Sequence, residues 1–152
     1  MNTTTIETTE NLIVELRRSF PVSRERLFTA WTDPAEVRLW FGPEGATVHN
    51  VSMDVRPGGK YAVTASCSGD ACTAIGEYRE VTPPSRLVYT WAWENDPDWV
   101  GVESVITVEF NEQPGGCELH LTHKGFPTAE HSARHEFGWS GTLDKLARRF
   151  QS

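Results

Sequence analysis

The stretch Ala129–Phe150, AEHSARHEFGWSGTLDKLARRF, decides the fold. It is the one long segment with a clean helical period: at about 100° per residue, Trp139, Leu143, Leu146 and Phe150 stack on a single stripe. Thr128 stands where an N-cap belongs. Glu130 falls in the first turn and Arg148 and Arg149 in the last, as the helix dipole favours. Followed back towards the N-terminus, the stripe continues through Ser132, His135 and, at its edge, Glu136. The buried face is therefore apolar in its second half and polar in its first. That switch suits a helix roofing a cavity better than one lying on a closed core.

Outward from this helix, the middle of the chain is strands and turns. Residues 46–55, 60–67, 72–81, 86–94, 102–112 and 117–123 read as strands, separated by RPGG, SGDA, TPPS, an acidic loop and QPGG. Short turns between consecutive strands make an antiparallel meander. Alternation puts Val51, Met53, Tyr61, Val63, Tyr89 and Trp91 on one face, with Trp93, Ile106, Val108, Phe110, Leu119 and Leu121. The other face takes Glu77, Arg79, Thr90, Glu103, Thr107, Glu109, Glu118, His120 and Thr122. One side is wet, and the closing helix is the element long enough to cover the other. Before the meander, residues 12–20 alternate as a half-buried strand, with Arg18 as an exception on its apolar face. Ser23 then caps RERLFTAW, and Asp33-Pro34 breaks and restarts the helix as AEVRLWF.

On the covered face, Ala74 and Gly76 sit among Tyr61, Tyr78, Tyr89 and Trp91. Small against large is either interdigitation in a filled core or the lining of an open cavity, and the cavity is the expectation here. Glu80 falls on the inner parity unless the strand has ended by Val81.

A chain of 152 residues suits one domain, expected over 12–152 with residues 1–11 as a loose leader. A net charge of −7 argues against nucleic-acid or anionic-membrane surfaces. No apolar run approaches about 18 residues, so a soluble, cytoplasmic protein is expected. Cys67, Cys72 and Cys117 fit no zinc spacing; Cys67 and Cys72 could face each other across SGDA but are expected as reduced thiols.

The order strand, two short helices, six-strand meander, long helix resembles the α+β helix-grip fold of the START-like, SRPBCC superfamily, to which the birch-pollen allergens belong. Within it the chain is most similar to the activator of heat-shock-protein-90 ATPase homologue family. The carrying stretches are FPVSRERLFTAWTDPAEVRLWFGPEG (20–45), DVRPGGKY (54–61), GEYREVTPPSRLVYTW (76–91) and GWSGTLDKLARRF (138–150). The resemblance implies a curved sheet gripping the last helix around an apolar cavity lined by Trp40, Phe41, Tyr61, Val63, Tyr78, Tyr89, Trp91 and Trp139. It supplies no shared catalytic motif. The eukaryotic co-chaperones of the family carry a further N-terminal domain for which this length leaves no room, so a chaperone partner is not expected.

Three chemistries are weighed. His131 and His135 are one helical turn apart, but His131 lies about 80° off the stripe, HExxH is absent and a third ligand is wanting, so no metal or other cofactor is expected. His123, His135 and Glu136 could serve as acid and base at the cavity's polar end, in an enzyme of cyclase or hydrolase type. No nucleophile motif accompanies them, and His135 satisfying a carbonyl or a tyrosine hydroxyl is the plainer reading. The favoured reading is therefore a binding protein, with a stress-related role among its expectations. A small apolar or aromatic molecule is held between sheet and helix, and His123, Ser132 and His135 join the cavity residues as its binding site. Trp99, in the loop ENDPDWVG, is either a lid over the opening or pinned to its own strands. Phe137 faces away from the sheet, towards either the broken helix pair or a dimer partner.

Overall fold

The computed structural model describes residues 13–42, 45–66 and 69–150. Strand β1 (Ile13–Phe20) is followed by helices α1 (Arg24–Thr32) and α2 (Pro34–Trp40). The meander comprises β2 (Thr47–Met53), β3 (Lys60–Ser66), β4 (Ala71–Thr82), β5 (Arg86–Trp93), β6 (Ser104–Gln113) and β7 (Gly116–Lys124), and α3 (Ala129–Arg149) closes the chain. The strands form one antiparallel sheet in the order β1-β7-β6-β5-β4-β3-β2, so the first strand pairs with the last. This is the expected α+β helix-grip architecture. The expected leader, residues 1–11, lies outside the described residues. No described helix is long and apolar enough to cross a membrane.

The caps stand where the sequence puts them. Ser23 Oγ accepts from Arg26 N, Asp33 from Ala35 N, and Thr128 Oγ1 from His131 N at 3.1 Å. Arg18, the exception on the apolar face of β1, donates to the Leu143 carbonyl and pairs with Asp144, tying the first strand to α3. Its charge thus serves the helix that the strand must hold. Trp139, Leu143 and Leu146 are buried under α3 as its stripe predicts. Helix α1 packs on β6 and β7 and α2 on β2 and α3, so the short helices share in covering the sheet.

Two irregularities correct the alternation. A bulge between Tyr78 and Glu80 makes Arg79 the extra residue, so Glu80 turns outward to pair with Arg86 while β4 runs on to Thr82. Thr90, expected on the wet face, is buried: its Oγ1 accepts from Glu77 N at 2.9 Å, where the β4–β5 ladder is distorted. The rest of that face is as expected, with His120 between Glu15 and Glu109.

The interior cavity expected among the tyrosines is not there. Tyr61, Tyr78 and Tyr89 fill the space, their ring centroids 5.5–5.7 Å apart, and leave a void of about 30 Å³. Gly76 allows it. Tyr61 lies across Gly76 to donate its hydroxyl to the Thr90 carbonyl, and a Cβ there would stand 1.9 Å from that oxygen. Small residues among large ones are interdigitation in this sheet.

Candidate functional site

The space that remains open lies one layer out. A cleft of about 620 Å³ opens between the first half of α3, the start of β4 and the end of β5. Antiparallel pairing of β4 with β5 builds it, since Ala74 faces Trp93 and Glu94 N donates to the Thr73 carbonyl. Residues 70–73 and 94–97 are thereby brought side by side at one end of the sheet. Phe41 and Gly42 form the opposite lip, their carbonyls held by Lys145 Nζ at 3.2 and 3.3 Å. The inner wall is Trp91, Trp93, Trp139 and His135.

The predicted site residues divide between these spaces. Phe41, Trp91, His135 and Trp139 line the cleft; Trp40, Tyr61, Val63, Tyr78 and Tyr89 line the small void. Phe41, Trp91 and Trp139 touch both and form the partition. His123 and Ser132 are buried and line neither. Glu136 is exposed and outside the cleft walls, so it does not stand beside His135 in the cleft as the acid–base alternative required.

His123 is committed on both ring nitrogens. Its Nδ1 accepts from Trp139 Nε1 at 3.1 Å, which places the proton on Nε2. Nε2 therefore donates to Ser104 Oγ at 2.8 Å, and Ser104 Oγ donates to the Trp91 carbonyl at 2.6 Å. Burial, then the neighbouring His135, hold its pKa well below 6.5. Both nitrogens of this neutral imidazole are thus held by protein partners.

His135 takes the opposite tautomer. Nδ1 donates to the His131 carbonyl at 2.7 Å, so Nε2 is the acceptor, taking Trp93 Nε1 at 2.9 Å and Trp91 Nε1 at 3.3 Å. Burial pushes its pKa down from 6.5 to about 4, although the carbonyl bond favours the charged form. The plainer sequence reading, a histidine satisfying a backbone carbonyl, describes it. No nitrogen is left for a metal, and among the described residues no three His, Cys, Asp or Glu groups converge as metal ligands.

Sequence reasoning missed His131, which the helical stripe put off-axis. It is buried and lines the cleft, with Nε2 3.0 Å from Asp98 Oδ2. The cause is the loop. Pro97–Trp99 makes one 3-10 turn that folds onto the start of α3, and Trp99 packs on Phe126, His131 and His135. Trp99 is thus no lid, and its partners are the closing helix and the Phe126 segment. Phe137 is 80% exposed, which excludes packing on α1 and α2. Cys72 is a free thiol on the cleft wall; Cys67 lies outside the described residues.

Comparison with known proteins agrees with this architecture. The family described as "Activator of Hsp90 ATPase homolog 1-like protein" matches over residues 21–151. A protein of Chromobacterium violaceum is 26% identical, with 93% of this chain and 98% of that one covered at a TM-score of 0.84. The AHSA1 protein of Silicibacter pomeroyi is 33% identical, with 90% and 96% covered at 0.78. A protein of Nitrosomonas europaea, 22% identical with 91% and 93% covered at 0.76, shares the fold. No curated protein matches the chain.

Proposed function

The chain belongs to the Activator of Hsp90 ATPase homolog 1-like family, and from that premise we propose that it binds a small, largely apolar or aromatic molecule in the open cleft. The supporting observation is the contrast in volume: about 620 Å³ walled by Trp91, Trp93 and Trp139, against about 30 Å³ in the interior behind them. A ligand burying about 300 Å² of apolar surface there gains roughly 7 kcal/mol before the costs of ordering, enough for reversible binding. The proposal extends to a stress-related setting on the family resemblance alone, and to the cytoplasm on composition alone.

The test is native mass spectrometry of the purified protein for a co-purified molecule, with calorimetric titration of naphthalene-type ligands. Binding with a Kd that rises about tenfold in Trp93→Ala supports the reading, since truncating that wall removes roughly 1–2 kcal/mol of contact. No carried molecule and no saturable heat from any apolar ligand would overturn it.

A further inference from the structure

The three tryptophans of the cleft have all spent their only hydrogen-bond donors. Trp91 and Trp93 give theirs to His135 and Trp139 gives its own to His123, so what they turn to the cleft is carbon ring surface. The walls are inclined to one another, Trp93 at 83° and Trp139 at 47° to Trp91, with centroids 5.3 and 5.7 Å away. The nearby hydroxyls are committed as well: Thr142 Oγ1 donates to the Gly138 carbonyl, and Thr73 Oγ1 is bonded to Thr64. The rim carries Asp70, Glu94 and Asp96 against one guanidinium, Arg134, which already has Glu130 at 3.7 Å; the lining His131 is faced by Asp98. One oxygen of Asp96 caps Asp98 N. The cation–π contact among the described residues, Arg26 over Phe150, involves no ring of the cleft.

An anion or a carbonyl-rich ligand needs donors; the three indole N–H groups are turned inward, which leaves the Arg134 guanidinium and the Asn95 amide in the lining against three rim carboxylates. A cation is favoured by carboxylates and by aromatic ring surface, and both line the cleft. Resting on the binding reading above, we infer that the cleft selects an amphipathic cation. The ligand is an amine or quaternary ammonium whose apolar or aromatic body lies on Trp91, Trp93 and Trp139 and whose charge lies towards Asp70, Glu94 and Asp96.

Calorimetry with three matched probes tests this: 2-(naphthalen-2-yl)ethylamine, 2-(naphthalen-2-yl)ethanol and 3-(naphthalen-2-yl)propanoate, at pH 7.5 in 50 mM and 500 mM salt. The expected order is amine, then alcohol, then carboxylate. The amine should lead the alcohol by about tenfold at low salt and by less at high salt. The variant Asp70→Asn/Glu94→Gln/Asp96→Asn, which keeps an acceptor for the Asp98 amide, should bring the amine down to the alcohol's affinity, with a thermal melt showing that it folds. An alcohol as tight as the amine, or a carboxylate tighter than both, overturns the cation assignment while leaving the cleft as a binding site. Failure of all three probes to bind overturns the cleft reading itself, and the cation assignment with it.

Discussion

Trp139 Nε1 donates to His123 Nδ1 at 3.1 Å, and this one bond fixes the protonation of a fully buried histidine. His135, with its ring centroid 5.5 Å away, is fixed in the opposite tautomer by the His131 carbonyl. Two neutral imidazoles therefore act as acceptors for three indoles. The ring N–H of each is given to a protein acceptor, Ser104 Oγ for His123 and the His131 carbonyl for His135.

The tautomers are directly observable. Two-bond 15N–1H correlation spectra at pH 7 should show His123 protonated on Nε2 and His135 on Nδ1. Finding the same tautomer at both positions, or an imidazolium at either, would break this account of the cleft wall.

Stability should fall as the medium is acidified through the histidine range. Both folded-state pKa values lie below the unfolded 6.5, so the unfolded chain binds the extra protons. The contribution is complete above about pH 6.5 and is lost as pH falls towards 4, where His135 itself titrates. For His135 the loss is at most roughly 3 kcal/mol, and less to the extent that solvent reaches the ring. Urea midpoints at pH 7 and pH 5 in His135→Gln, set against the parent, measure it. A variant as pH-sensitive as the parent would remove His135 as the cause.

Gly76→Ala should cost about 3 kcal/mol or more, because the new methyl would overlap the Thr90 carbonyl and the Tyr61 ring and so break the hydrogen bond between them. Chemical denaturation gives the value. A loss below about 1 kcal/mol would mean that the β4–β5 step yields far more easily than this packing implies.

Trp99 carries a buried indole N–H without a partner. Trp99→Phe removes that orphan together with some packing area, and the two effects oppose each other, so a change within about 1 kcal/mol is expected. Trp99→Ala removes the same orphan but loses nearly the whole buried ring system, and should cost about 3–5 kcal/mol. A loss above about 2 kcal/mol in Trp99→Phe would show that the N–H is satisfied in solution.

The sequence was legible where period and punctuation decide. The stripe of α3, the Ser23, Asp33 and Thr128 caps, and the six-strand meander all follow from alternation, helical spacing and turn residues, whereas the place of β1 beside β7 does not. Alternation failed at Glu80 because the bulge at Arg79 adds one residue that no period announces. Ring placement was also beyond reach: Tyr61, Tyr78 and Tyr89 could equally have lined a space or filled it, and the choice rests on a carbonyl exposed by a distorted ladder. The cleft joins residues 70–73 to 94–97 and to α3. The meeting of the two loop ends follows from the pairing of β4 with β5. The folding of Trp99 under α3, which buries His131, had no signal in the helical wheel.

The pairing of β1 with β7 has a consequence for the order of synthesis. Ile13 is hydrogen-bonded in register with Lys124, and Arg18 of the same strand reaches Asp144 on the last helix. On the ribosome, residues 13–20 emerge first among the described strands and must wait for about a hundred later residues before their strand partners exist. Such long-range closure slows folding and leaves an apolar edge exposed in every shorter nascent chain. The meander from β2 to β7 can pair as it is made, whereas β1 and α3 can lock only when the helix has cleared the exit tunnel. Until residues 129–149 have emerged, the sheet lacks its long helix and only α1 and α2 cover part of its apolar face, which leaves the rest open to chaperones.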